Sequence, residues 1–328
     1  MTLTPRPALR AALAGRRMLV TGAALADGVG RALAHILALH GASVALADVL
    51  PLEEVAAECR ALGAPLVAAC AFDAAREGDS ARMVGAACAA LGGPLDAVFL
   101  NHNAGCFAPM LQQPDLLGTA RRLMAINFFS YAEIADAALP HLAAAARARG
   151  APSSIVAVSS LAAELPMLDT HAYAASKAAI SNWFGCLRIE LRRDAALARL
   201  VSVGIVYFSA VRTATLVRAM GGADGPNQRV LALAAAPQDA ALAVVEACVS
   251  RRPVTHFPAS IALLPWLYAV WPWLARRLVN TVTVTHAPAP PAPAPAPAPA
   301  PPPAPAPGPA PAPRAVADSP LLVPAAAP

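Results

Sequence analysis

The chain has 328 residues, 57% of them hydrophobic and 14% charged, which is enough apolar material to bury the core of one large α/β domain. Its formal charge of +5 and pI near 9.1 are basic, yet no run of Lys and Arg interleaved with aromatics occurs, so nucleic acid is excluded as an expected partner. The six cysteines (Cys59, Cys70, Cys88, Cys106, Cys186, Cys248) form no C-x-x-C pair and no metal-ligand spacing, so we expect no disulfide framework, no metal site and a reducing, intracellular setting.

A lead of residues 1–13 comes first. It carries Arg6 and Arg10 but no apolar stretch of the kind a cleavable signal peptide needs, and none is expected. Short apolar runs then alternate with longer helical patterns, as a parallel sheet with crossover helices requires. The expected strands are Met18 to Thr21, Ser43 to Ala47, Leu66 to Ala71, Ala97 to Asn101, Ser154 to Ser159 and Val201 to Tyr207. The expected helices are 30–40, 52–62, 78–91, 116–145, 172–194 and 238–250. This predicts a Rossmann-type, doubly wound parallel sheet flanked by helices, a single domain over 14–252, with a ligand at the carboxyl ends of the strands. An apolar segment rich in Trp and Pro follows at 253–286, and a Pro/Ala tail at 287–328.

After the first strand stands Thr21-Gly22, then Asp27-Gly28-Val29-Gly30, opening a helix. Gly22, Gly28 and Gly30 let the backbone approach a pyrophosphate, and the helix amino end adds favourable partial charge. A glycine turn alone is equally an empty strand-to-helix loop. Asp48 closes the second strand about 20 residues on, where a carboxylate accepts from ribose hydroxyls and repels a 2′-phosphate, which favours NAD over NADP while leaving NADP open. Asp73, ending the third strand, is read as receiving the adenine amino group, or as a plain cap.

Tyr173 and Lys177 lie four apart in a helical pattern, which puts phenol and ammonium on one face. The cation is expected to draw the phenol toward working pH, so that Tyr173 exchanges a proton with a carbinol or carbonyl oxygen while hydride passes to or from a nicotinamide. A strand ending in Ser159-Ser160 stops 13 residues earlier, and Ser160 is read as holding the substrate oxygen, the alternative being a turn serine. Asn127 interrupts the apolar run Leu123 to Phe129, where a buried amide needs partners. A water between Asn127 and Lys177 is expected to relay protons.

In this order these elements resemble the short-chain dehydrogenase/reductase family over roughly residues 14 to 250: the T-G-rich turn, an N-A-G element, the serine strand and Y-x-x-x-K. The resemblance implies a catalytic tetrad of Asn127, Ser160, Tyr173 and Lys177. It also implies a dinucleotide site to which Asn101, Tyr173, Lys177 and Thr213 contribute, Thr213 lying near the nicotinamide amide. The segments LDAVFLNHN, INFFSYAEIADAALP, IVAVSSLAAELPMLDTHAYAASKAAI and AAPQDAA are most similar to the 11-beta-hydroxysteroid dehydrogenase type 1 group. That implies a bulky lipophilic or steroid-like alcohol or ketone and a homodimer. The chain departs from the family pattern in a glycine turn two residues longer, in Phe208-Ser209 after the sixth strand, and in Asn101-His102-Asn103 ahead of Ala-Gly, which leaves open which asparagine supports the central strand. Relatives of the type 1 enzyme commonly use NADP and begin with a membrane anchor, whereas Asp48 and the lead read otherwise.

Residues 253–275 contain no Lys, Arg, Asp or Glu and hold three of the four tryptophans, between Arg251-Arg252 and Arg276-Arg277. Pro253, Pro258, Pro265 and Pro272 argue against a continuous spanning helix, so a shallow, monotopic membrane contact is expected, the alternative being a cover over the substrate pocket. The last 42 residues hold 18 of the 34 prolines and are expected to be disordered, and the alternating Ala/Pro run to Pro313 predicts a polyproline-type extension about 80 Å long at ~3.1 Å per residue, a spacer or a ligand for a proline-recognising domain. A competing reading of the whole chain is a dinucleotide-binding module with little catalysis and a partner-recruiting tail.

Overall fold

The computed structural model describes residues 4–222 and 227–282, with side chains through residue 279. The expected Pro/Ala extension lies outside the described residues. In chain order the first half comprises α1 (Pro7–Leu13), β1 (Arg17–Thr21), α2 (Val29–Leu39), β2 (Ser43–Asp48), α3 (Glu53–Ala61), β3 (Val67–Ala71), α4 (Asp79–Ala90) and β4 (Ala97–Leu100). The second half comprises α5 (Leu116–Met124), α6 (Ser130–Arg149), β5 (Ser153–Ser160), α7 (His171–Arg193), β6 (Val201–Phe208), α8 (Ala214–Ala219), α9 (Gln228–Leu233), α10 (Pro237–Val249), β7 (Val254–Phe257), α11 (Leu263–Val270) and α12 (Pro272–Val282).

The strands form one parallel sheet in the order β3-β2-β1-β4-β5-β6-β7. Helices cover both faces, which is why these strands are continuous apolar runs and not alternating ones. Met18 and Val20 of β1 pack with α1, α2, α3 and α10 on one face, while Leu19 packs with α4, α6 and α7 on the other. Each of those fully buried Leu and Val side chains contributes about 1.5–3 kcal/mol of transfer free energy. The chain winds outward from β1 to β3, then returns to place β4 on the other side of β1. That reversal opens a crevice at the carboxyl ends of β1 and β4, where the glycine turn begins.

Three features differ from the sequence expectation. The helix expected over 116–145 is divided into α5 and α6 by a π-helical turn at Ala125–Phe129, because Asn127 turns its amide to the backbone of Ala104 and Ser130 Oγ donates to Ile126 O. Within the lead, Pro7–Leu13 is helical, and Leu9 and Leu13 of this α1 are buried in the core. The expected boundary at residue 252 falls inside the sheet, because the apolar segment begins with β7, paired to β6. Its brevity, four residues between prolines, hid the strand period. Among the described residues no helix is long and apolar enough to cross a membrane.

Candidate active site

At the end of β1 the chain turns through Gly22 at φ +71°, a left-handed conformation that favours glycine. Asn101, following β4, donates from Nδ2 to the carbonyls of Thr21 (3.2 Å) and Gly22 (3.3 Å). Asn101 is therefore the asparagine that ties β4 to the central strand, and Asn103 is not. Gly30 packs so tightly that an added Cβ would stand 2.0 Å from the Gly22 carbonyl oxygen and 2.7 Å from Asn101 Nδ2. Gly28 is the residue from which α2 starts.

Asp48 stands beside this turn, its carboxylate accepting from Ala24 N (2.9 Å) and Leu50 N (3.1 Å). The carbonyl of the same residue is held by Arg31, whose Nη1 donates to Ala24 O at 3.4 Å. Arg31 is buried against Glu58 (2.7 and 2.5 Å) and Glu54 (3.2 Å), and these carboxylates push its pKa upward. Sequence reading did not single out Arg31. The inserted Asp27 accepts from Ala214 N, so the longer turn leans on α8, which Thr213 caps by accepting from Leu216 N at 3.2 Å. Asp73 is exposed at the end of β3, accepting from Ala75 N at 2.9 Å, and is not joined to the other candidate residues.

At the reacting end, β5 and α7 bring three of the candidates together. The Ser160 hydroxyl accepts from Ala162 N at 3.2 Å and lies near enough to the Tyr173 phenol to favour its ionised form. Its neighbour Ser159 points the other way, donating to Lys177 O at 3.2 Å and pairing with Ser181 Oγ at 2.9 Å. Lys177 is 1% exposed and donates to Val158 O at 3.1 Å, with Nζ over the rings of Tyr131 (5.5 Å) and Tyr173 (5.9 Å). Burial pulls its pKa down to about 7. The expectation that this ammonium draws the Tyr173 phenol downward is not met: the cation lies toward the ring and Val158, and burial pushes the hydroxyl up despite the nearby Ser160 hydroxyl.

Asn127 is completely buried in the π-helical turn, with Oδ1 accepting from Ala104 N (2.8 Å) and Nδ2 donating to Ala104 O (2.8 Å) and Ser176 Oγ (2.9 Å). The side chain thus fastens the loop after β4 to α7 one residue before Lys177, instead of facing the ammonium as a side-chain relay would need. Two further residues complete the floor. His102 meets Thr21 Oγ1 (2.8 Å) and Ser130 Oγ (2.7 Å), and burial pulls its pKa to about 3, so it stays neutral. Tyr131 donates to His102 O at 2.8 Å. Phe107 lies against the Tyr173 ring at 5.4 Å between centroids. The signals for these were local: Ser176 lies inside Y-x-x-x-K, and His102 inside the Asn101-His102-Asn103 element.

The donor set fits a nicotinamide dinucleotide. The turn at Gly22 to Gly30 presents backbone without side chains at Gly28 and Gly30, Asp48 ends the neighbouring strand, and Lys177 is a buried cation with no carboxylate bonded to it. Residues 16–220 match the short chain dehydrogenase family. A hydroxysteroid 11-beta-dehydrogenase 1-like protein of Xenopus tropicalis is 34% identical over 248 residues, covering 75% of this chain and 80% of its own. A short chain dehydrogenase/reductase from Burkholderia phymatum, in complex with NAD, shares the fold with TM-score 0.66 at 22% identity, covering 80% of this chain and 95% of its own. So does a 7 alpha-hydroxysteroid dehydrogenase complexed with NADH and 7-oxo glycochenodeoxycholic acid, at TM-score 0.65 and 22% identity over 78% and 97%. The chain belongs to the short chain dehydrogenase family and is a nicotinamide-dinucleotide-dependent oxidoreductase acting on CH–OH groups.

Proposed function

We propose that this chain interconverts a secondary alcohol and a ketone on a bulky, lipophilic, steroid-like molecule, using NAD, with Tyr173 as the acid/base. The observation that carries this reading is the convergence of Ser160, Tyr173 and Lys177 at the carboxyl end of β5. Two hydroxyls this near one another can both meet one substrate oxygen, Ser160 holding it and Tyr173 passing its proton. Lys177 supplies positive charge under the phenol, and Asn127 keeps the loop after β4 fastened to α7. When bound, the nicotinamide supplies the hydride acceptor or donor.

Gly22, Gly28, Gly30, Asp48, Asp73, Asn101, Tyr173, Lys177 and Thr213 are the residues we assign to holding the dinucleotide. Asp48 favours NAD because its carboxylate repels a 2′-phosphate, and the nearby cation Arg31 is already engaged by Glu54 and Glu58. A lipophilic substrate is supported by the apolar residues Leu161, Leu165 and Met167, which follow Ser160 and pack on Ile261, Leu264 and Tyr268 of the C-terminal segment. The hydroxysteroid names of relatives agree with it. Trp266, Trp271 and Trp273 are 60%, 49% and 65% exposed, next to Arg276 and Arg277, which supports an intracellular protein resting shallowly on a membrane from which such a substrate arrives. We assign it as a homo-oligomer, a dimer.

The test is turnover of hydroxysteroids, retinoids and simple ketones with NADH and with NADPH, beside Tyr173→Phe. Wild-type turnover that disappears in Tyr173→Phe, with NADH still bound, is the expected result. Equal turnover by both proteins would refute the assignment. One observation favours the second reading, a dinucleotide-binding module with little catalysis: burial holds the Tyr173 phenol above its ordinary pKa. Cofactor binding without turnover on the whole panel would select it.

A further inference from the structure

The strand that carries Ser160 is followed by one 3-10 turn, Leu161–Ala163, and then by Glu164, whose amide closes the turn on Leu161 O at 3.0 Å. Glu164 Oε2 lies 2.8 Å from Nε2 of His256 in β7, and the two side chains are 23% and 15% exposed. This pair spans 92 residues of sequence and fixes the end of β5 to the edge strand.

His256 also reaches back across the sheet. Ser159, Tyr207 and His256 stand side by side on neighbouring strands, since Ser159 pairs with Tyr207 and Tyr207 with His256 in register. The imidazole stacks on the Tyr207 ring with centroids 5.0 Å apart and planes 15° apart. Ser181 lies near the Tyr207 phenol, donates to Lys177 O at 2.9 Å and pairs at 2.9 Å with Oγ of Ser159, the residue beside Tyr207, which itself donates to Lys177 O at 3.2 Å. A continuous brace therefore runs from the turn behind Ser160, through β7 and β6, to the carbonyl of Lys177. Its two ends are the two elements whose relative position sets the distance between Ser160 and Tyr173.

We propose that Glu164 and His256 are positioning residues that lock the turn behind Ser160 onto β7 and so hold the serine in register with Tyr173 and Lys177; this rests on the roles assigned to Ser160 and Tyr173 above. Neither residue touches the reacting atoms. Their effect passes through the 3-10 turn on one side and the Tyr207–Ser181 contact on the other. Holding reacting groups to a fraction of an ångström is worth large factors in rate, because a misplacement of ~1 Å can cost about a hundredfold.

Two readouts test it on the full chain, one independent of turnover. Glu164→Gln keeps a hydrogen-bonding side chain without the charge, and His256→Phe keeps the stack on Tyr207 without the bond, so both retain the packing of the wild type. Hydrogen exchange of the backbone amides of residues 160–165 is expected to accelerate roughly tenfold in His256→Phe and less in Glu164→Gln, with exchange around the glycine turn unchanged. Steady-state kinetics are expected to show kcat reduced about tenfold in His256→Phe with KM for NADH unchanged, and the double variant no worse than His256→Phe alone. Unchanged exchange at 160–165 overturns the lock. Faster exchange with unchanged kcat, or losses that add in the double variant, overturns the positioning role. Faster exchange in a protein whose wild type turns over no substrate on the panel leaves the lock standing, ends the positioning role, and refutes the proposed activity instead.

Discussion

Replacing Lys177 by Met should remove the chemistry and raise the stability of the fold, with a pH dependence that can be worked out in advance. The ammonium is 1% exposed, donates to Val158 O, and is pulled by burial from 10.5 to about 7. At ~1.36 kcal/mol per pH unit, that displacement amounts to roughly 5 kcal/mol against folding when the group is fully charged. The sign follows from proton counting. The unfolded chain keeps this proton up to 10.5, while the folded chain releases it above about 7, so between those values the unfolded state binds more protons and stability rises with pH. Below about 7 the penalty is complete and constant. Between pH 6 and pH 8.5 the wild type should therefore gain roughly 2 kcal/mol from this group, and Lys177→Met none. Met keeps most of the volume, and the lost bond to Val158 costs about 1 kcal/mol at every pH, so the pH-dependent difference isolates the ionisation. Urea unfolding of both proteins at pH 6 and pH 8.5 measures it. Stability curves that run parallel, or a variant whose advantage grows with pH, would refute the assignment of Lys177 as a desolvated cation.

Tyr173→Phe should lower turnover by about 10²–10⁴-fold while NADH fluorescence titration still shows binding, weakened by no more than a few-fold. Gly30→Ala forces a methyl to within 2.0 Å of the Gly22 carbonyl oxygen, so chemical denaturation should show a loss of about 2–3 kcal/mol together with weakened NADH binding. In Asp48→Asn the carboxylate that repels a 2′-phosphate is neutralised, so the ratio of kcat/KM for NADPH to that for NADH should rise about tenfold; an unchanged ratio would place cofactor choice elsewhere. Replacing Trp271 and Trp273 together by Ser should release the protein from phosphatidylcholine vesicles in a flotation assay without altering turnover of a water-soluble ketone, since both side chains are about half or more exposed.

The parts legible in the sequence were those with a local physical signature. Buried strands such as Val44 to Ala47 and the glycine turn announce themselves by composition, and Tyr173 and Lys177 by helical spacing. What was not legible depends on partners far apart in the chain. Nothing near residue 127 says that its amide will take both backbone groups of Ala104 and break a helix, and nothing near residue 101 says which asparagine will meet Gly22. β7 was missed because four residues between prolines carry no period, although their register with β6 places His256 beside Tyr207.

The ionisation of Tyr173 was misjudged for a related reason. A spacing of four places a cation near a phenol, but the shift depends on where the charge stops and how much water both groups lose. Here Lys177 stops at the Val158 carbonyl and over the ring, and desolvation acts on phenol and ammonium in opposite senses, raising one and lowering the other. Both neutral forms are favoured by the same burial. Any group that brings negative charge or hydrogen-bond acceptors into this crevice must then restore the ammonium before it can help the phenol ionise, so the proton on Lys177 and the one on Tyr173 are coupled, and neither side chain can be assigned a working pKa without the other.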